Sequence, residues 1–171
     1  SVTVRANQAG DANYHPAPEV AHTFTVTKAS ATVTLNSLAQ TYDGTPKAAG
    51  ATTNPAGKTV TFTYDGSATA PTNAGSYAVV GTINDPIYQG SVSGTLVIAK
   101  ASQAITFASP GNQLATASLN LSATGGASGN SIVFSVNTPG QLSGNTLTFT
   151  GPGSVTVRAN QAGDANYHPA P

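Results

Sequence analysis

The sequence predicts an all-β protein made of tandem β modules arranged end to end. Three observations predict it. Short runs alternate apolar and polar residues with a period of two, as in Val155-Thr156-Val157-Arg158 and Leu147-Thr148-Phe149-Thr150. Gly and Asn cluster between such runs, as in Gly125-Gly126-Ala127-Ser128-Gly129-Asn130 and Ser143-Gly144-Asn145, which are turn signals. Residues 1–18, SVTVRANQAGDANYHPAP, recur without a mismatch as residues 154–171, an offset of 153 residues. No window shows a helical period with caps.

The repeat organises everything else. Eighteen consecutive identities make the chain one period of an array plus an overlap. A fainter echo divides the period: FTVTKASATVTL at 24–35 and LVIAKASQAITF at 96–107 both place Lys-Ala-Ser between two alternating strands. Lys28 and Lys100 thus mark equivalent boundaries. The expected division is 1–28, the C-terminal strands of a preceding repeat; 29–100, one β module; and 101–171, a module lacking its final strand. That strand should resemble EVAHTFTVTK, residues 19–28. No flexible linker separates the units, so hinge motion is limited.

In the second module the expected strands are 103–107, 119–124, 132–136, 146–150 and 154–158, with 23–28 of the previous copy standing for the sixth. Six or seven short strands at this spacing read as an Ig-like β-sandwich without the disulfide and core Trp of antibody domains. In the first module strands are expected at 31–35, 59–64, 76–83 and 94–99, with shorter ones near 40–42 and 48–52.

Residues 29–100 resemble an MBG-type module of bacterial surface proteins. The resemblance is carried by Tyr42-Asp43-Gly44-Thr45-Pro46-Lys47, Asn54-Pro55-Ala56-Gly57, Thr61-Phe62-Thr63-Tyr64-Asp65-Gly66-Ser67 and Ala70-Pro71-Thr72-Asn73-Ala74-Gly75-Ser76-Tyr77. The second module resembles a bacterial Ig-like repeat through Ser143-Gly144-Asn145-Thr146-Leu147, Gly153 to Ala159 and Gly163-Asp164-Ala165-Asn166-Tyr167. Such modules alternate in long adhesins. The resemblance implies an extracellular, bacterial cell-surface setting and a structural or adhesive role, and it supplies no catalytic residues.

Composition narrows the functional classes. Only 7% of residues are charged and the formal net charge is zero, so no basic surface offers itself to nucleic acid. Leu, Ile, Val and Phe make up slightly less than one fifth of the chain. Thr, Ser, Ala and Gly fill the difference, which suits strands around thin cores. Cys, Met and Trp are absent, which removes disulfides, thiolate ligands and thiol nucleophiles. No apolar run approaches the roughly 18 residues of a membrane span.

Each candidate for chemistry has an ordinary structural reading. The histidines are His15, His22 and His168, none in a Gly-x-Ser-x-Gly elbow. The acids are Asp11, Glu19, Asp43, Asp65, Asp85 and Asp164; Asp43 and Asp65 precede Gly, as turn residues do. Asn84-Asp85 and Asp164-Ala165-Asn166 are the nearest approach to calcium ligands, without the dense Asp/Asn clusters such sites use. Asp11-Ala12-Asn13-Tyr14 and Asp85-Pro86-Ile87-Tyr88 share an Asp-x-x-Tyr pattern. It reads as an Asp-stabilised turn with Tyr packed beneath, rather than a ligand loop. Lys28, Lys100 and Glu19 are the residues an isopeptide crosslink would need. Asn120-Leu121-Ser122 is a formal glycosylation sequon.

The expected function is therefore that of a structural repeat unit, with no enzyme activity, catalytic residue, metal or cofactor. A glycan- or protein-binding module is the alternative, with Tyr42, Tyr64 and Tyr77 as its exposed aromatic candidates. Expected partners are adjacent repeats of the same polypeptide or head-to-tail copies of the chain, with a glycan or surface protein as a further possibility. Neither nucleic acid nor membrane insertion is expected. The identical ends are read as an arbitrary cut through an array. Strand exchange between separate chains would serve the same end. At about 3.3 Å per strand residue, two modules of ten to twelve residues' length span roughly 65–80 Å.

Overall fold

The computed structural model describes residues 1–170. Among these are fifteen strands and no helix, in several small sheets that form two modules preceded by a hairpin. The hairpin pairs β1 (Val2–Gln8) with β2 (Ala17–Phe24) antiparallel, from Val2 opposite Phe24 to Gln8 opposite Ala17. It packs on nothing, and every residue of both strands is exposed.

The first module contains β3 (Ala29–Ser30), β4 (Thr32–Asn36), β5 (Ala39–Thr41), β6 (Gly50–Asn54), β7 (Val60–Tyr64), β8 (Gly75–Ile83), β9 (Tyr88–Gln89) and β10 (Ser91–Ala99). Its main sheet has the order β5-β10-β8-β7, and two ribbons, β4-β6 and β3-β9, complete it. Alternation decides which side chains point inward. Along β8, Val79 and Ile83 are buried while Ala78, Val80 and Thr82 are exposed. Along β10, Leu96 and Ile98 are buried. Val79, Leu96 and Ile98 with Ala49 and Tyr64 make a small core, flanked by Leu35, Leu38, Phe62 and Tyr77. Asp65-Gly66, expected as a turn, is one: both residues have positive φ, 48° and 85°, as a tight two-residue turn requires.

The second module contains β11 (Leu119–Asn120), β12 (Ile132–Val136), β13 (Gly140–Ser143), β14 (Thr146–Phe149) and β15 (Val157–Gln161). They form the sheets β11-β14-β13 and β12-β15. Leu121 and Leu147 are buried, and the Phe107 and Phe134 ring centroids lie 5.3 Å apart. Among the described residues no ladder joins a strand before Lys100 to one after it.

One expected strand is corrected, and two features carried no signal in the sequence. Residues 103–107 form no strand and touch the sheet only through the bridge of Thr106 to Thr124. Gln103 is instead drawn into side-chain bonds with Ser128 and Ala162. The strand β13 was not expected, because Gly140 and Gln141 break the apolar alternation of its sequence. The parallel pairing of β5 with β10 was also unforeseen, since register between distant segments leaves no local signal.

Tyr64 shows how the thin core is closed. Its ring is 5% exposed, and its hydroxyl accepts the Ala49 N–H at 2.9 Å. Tyr64→Phe leaves that buried donor unpaired, so the first module should lose about 1–3 kcal/mol. Chemical denaturation of the two proteins checks this; an unchanged midpoint contradicts it.

Candidate functional site: the module junctions

The Asp-x-x-Tyr segments fold into one local structure at all three places. The Asp85 carboxylate accepts the N–H groups of Ile87 and Tyr88, at 2.8 and 2.9 Å. Asp11 does the same for Asn13 and Tyr14, and Asp164 for Asn166 and Tyr167. In the two identical copies the first Asp N–H also donates to the Tyr carbonyl, at 2.9 and 3.1 Å. The side-chain oxygen mimics a backbone acceptor and closes the turn. These carboxylates are thus occupied by N–H donors. Among the described residues no group of three or more His, Cys, Asp or Glu lies together.

The Lys-Ala-Ser junctions fasten onto these turns. Lys28 Nζ donates to the Asp85 carbonyl at 2.7 Å, and Lys100 Nζ donates to the Asp164 carbonyl at 2.5 Å. The Ala after each lysine then runs parallel to the Tyr of the turn: Ala29 pairs with Tyr88 and Ala101 with Tyr167. The N–H of Ala29 donates to Ile87 and that of Ala101 to Asn166, at 2.8 and 2.9 Å. One cationic side chain and a short parallel ladder therefore clasp each connecting segment to the module it enters. The sequence marks Lys-Ala-Ser and Asp-x-x-Tyr separately. Their joint recurrence, in the same order, was the signal that they touch.

At the second junction the clasp reaches back into the first module. Asn166 Oδ1 accepts the Ala74 N–H at 2.9 Å, and Asn166 Nδ2 donates to Asn73 Oδ1 at 3.2 Å. The Tyr167 ring stands edge-on to Tyr42, with centroids 5.4 Å apart and planes at 86°. Such edge-to-face pairs are favoured by the ring quadrupoles. The same Tyr in the first copy, Tyr14, is 76% exposed. Next to Tyr42, Asp43 accepts Lys47 Nζ, the Thr45 hydroxyl and the Thr45 N–H. These donors, Lys47 foremost, hold its carboxyl well below the usual range.

The remaining sequence candidates are dispersed. His15, His22 and His168 are exposed. Glu19 pairs with Arg5 across the hairpin. Lys28 and Lys100 are taken up by carbonyls rather than poised for a crosslink. Asn120 is exposed on β11 beside the buried Leu121. The three tyrosines expected as an exposed aromatic platform do not form one, which corrects that expectation. Tyr64 is in the core, Tyr42 packs on Tyr167, and the half-buried Tyr77 donates its hydroxyl to the Asn73 carbonyl at 2.8 Å. Their rings fill a thin core and a junction that the small neighbouring side chains leave open.

At the first junction Asp85 carries a pH dependence. The N–H groups of Ile87 and Tyr88, with Lys58 at 3.4 Å, lower its carboxyl below the usual value. Lys58 also sits 4.1 Å over the Tyr88 ring. A depressed folded-state pKa gives stability that is full above the unfolded carboxylate value of about 3.9 and lost as pH falls through the folded value. Acid titration should loosen this turn only below about pH 4, and Asp85→Asn should remove that part of the pH dependence. Amide shifts of Ile87 and Tyr88 report it. A transition near neutral pH contradicts the assignment.

Comparison with known proteins identifies one segment. No curated protein and no solved structure matches the chain. The family model of the MBG domain matches residues 31–102, which contain the first module from β4 to β10 and the Lys100 junction. The chain therefore carries an MBG domain, a domain type found in bacterial surface proteins, over residues 31–102.

Proposed function

We propose that this chain is a structural repeat unit of a long extracellular bacterial fibre or adhesin stalk, supplying length, spacing and stiffness rather than catalysis. The observation that carries the reading is the repeated clasp, with Lys28 on the Asp85 carbonyl and Lys100 on the Asp164 carbonyl. A binding or catalytic module has no need of the same fastening at successive junctions. A stalk needs it at every one, because each unfastened joint is a hinge. The exact recurrence of residues 1–18 at an offset of 153 residues and the MBG domain support the same reading. In it, residues 101 onward are an Ig-like module alternating with the MBG domain, and residues 1–28 are the closing strands of the preceding Ig-like module. The charge-poor surface suits a role without a charged ligand.

Immunogold labelling of intact producing cells with an antibody against the second module tests this. The expected result is a row of labels running outward from the cell at regular intervals. Label that appears only after permeabilisation, or at a single fixed distance, contradicts it.

A further inference from the structure

The segment that enters the MBG domain and the segment that leaves it run the same way. β3 pairs parallel with β9, Ala29 opposite Tyr88 and Ser30 opposite Gln89. β5 pairs parallel with β10, from Ala39 opposite Val97 to Thr41 opposite Ala99. Among the described residues every other ladder between strands is antiparallel. The N–H groups of Ala29 and Ala31 donate to the carbonyls of Ile87 and Gln89, both at 2.8 Å. Those of Val97 and Tyr42 donate to Leu38 and Ala99, at 2.8 and 2.9 Å. Lys28, on the Asp85 carbonyl, adds a side-chain bond across the same line.

The two junctions stand at opposite ends of one strand line. Ala29 lies beside Tyr88, just before β10 begins, and Lys100 follows the last residue of β10. Apart from Gly90, the chain from Tyr88 to Ala99 is strand throughout, which places the junctions roughly 35 Å apart along it. Tension on the chain therefore acts along β10. It draws the entering segment backward and β10 forward, sliding parallel partners past each other. The backbone bonds between them are strained sideways at the same moment, and none opens ahead of the rest. Force across the strands acts differently. It opens a ladder from one end, a pair at a time, and each bond alone contributes little.

We propose that the MBG domain bears tension along the chain, and that the two parallel ladders, β3–β9 and β5–β10, are what resist it. All of these strands lie between Ala29 and Ala99, so the device is complete within the domain. Gln40 holds the middle of the second ladder, opposite Ile98. The bonds of Leu38 and Tyr42 to β10, two residues to either side, show that the backbone groups of Gln40 face β10 as well. Its Nε2 also donates to the carbonyls of Ser37 and Ala48, both at 2.9 Å, which anchors β5 to the segments around it. β10 is held equally well on its other side. It pairs with β8 from Ser91 to Ile98, and sliding it out would expose the buried Leu96 and Ile98. The proposal deepens the stalk reading and rests on it for its biological sense, since a stalk held at both ends is pulled along its length.

Single-molecule stretching of the 171-residue protein in two directions tests it. The chain has no cysteine, so handles attach only where one is introduced. Thr27→Cys with Ser102→Cys, both at exposed positions, loads the domain along β10 and leaves the hairpin and the second module outside the load. Thr61→Cys with Ser91→Cys loads it across the strands, because both exposed residues stand opposite Thr82 of β8. The unfolding force should be at least about twice as high along the strands as across them. Gln40→Pro removes the N–H at the middle of the β5–β10 ladder. It should bring the axial force down toward the transverse one and leave the transverse force unchanged. Should Gln40→Pro fail to fold, the comparison of the two directions decides the matter. Equal forces in the two directions, or an axial force indifferent to Gln40→Pro, overturns the proposal. Neither outcome touches the stalk reading, which the labelling experiment tests separately.

Discussion

Leu96→Ala should destabilise the first module by about 2–5 kcal/mol while the second module keeps its own transition. Leu96 is fully buried on β10, the strand that lies between β5 and β8 in the main sheet. The core around it is small, with only Ala49, Tyr64, Val79 and Ile98 as its other buried members. Few neighbours can close over the cavity, so the loss sits toward the upper part of the range. The second module shares no ladder with this core; among the described polar and aromatic pairs it meets the first module through the Lys100 bond to Asp164 and the Asn166 and Tyr167 contacts. Residue-resolved hydrogen exchange separates the two units. Protection should fall along β7, β8 and β10 and stay near wild type along β12 and β15. An equal fall in both contradicts the independence of the modules.

Gly163→Ala should have an effect that Gly10→Ala lacks, although the two glycines have identical sequence surroundings. A Cβ on Gly163 would lie 2.3 Å from the Tyr167 carbonyl oxygen and 2.7 Å from backbone atoms of His168 and Pro169. All of these are backbone, so the turn itself must open. Opening it separates Asp164 from its two N–H donors, shifts the carbonyl that holds Lys100, and carries Tyr167 away from Tyr42. The expected cost is roughly 1–3 kcal/mol to the second module, with a looser junction. Gly10 has the same close approach, 2.3 Å from the Tyr14 carbonyl, but its turn closes an exposed ribbon. Its replacement should change the stability of either module by less than about 0.5 kcal/mol. Parallel denaturation of the two variants makes the comparison, and equal effects would contradict the role given to the clasp.

Much of this was legible in the sequence, and what was not has physical reasons. Alternation located the strands of the first module to within a few residues, because Val79, Ile83, Leu96 and Ile98 fall on one face at period two. It failed at 103–107, where the period is correct but no neighbouring ladder extends along the segment. It also misplaced the last strand of the second module. The same residues are strand from Val2 in the first copy, where they pair with β2, and only from Val157 in the second, where they pair with β12. Partner geometry, rather than local propensity, sets where a strand is defined.

The candidate site divides in the same way. Asp-x-x-Tyr was readable as a turn, since the carboxylate bonds within three residues of itself. The grip of Lys28 and Lys100 on those turns spans 57 and 64 residues, and a contact of that range has no local signature. Gln161 is similar. It is 3% exposed, with Nε2 donating to the Asn130 carbonyl and Oε1 accepting the Gly126 N–H, both at 2.6 Å. Its identical counterpart Gln8 is exposed, so the sequence alone assigns it no role.

The central claim is that clasped junctions turn repeated modules into a stiff rod. Small-angle scattering from polypeptides carrying one, two and three 153-residue periods tests it most directly. The account expects the maximum dimension to grow linearly, by a constant step of roughly 65–80 Å per period. Growth as the square root of the number of periods, the behaviour of modules on free hinges, would contradict it.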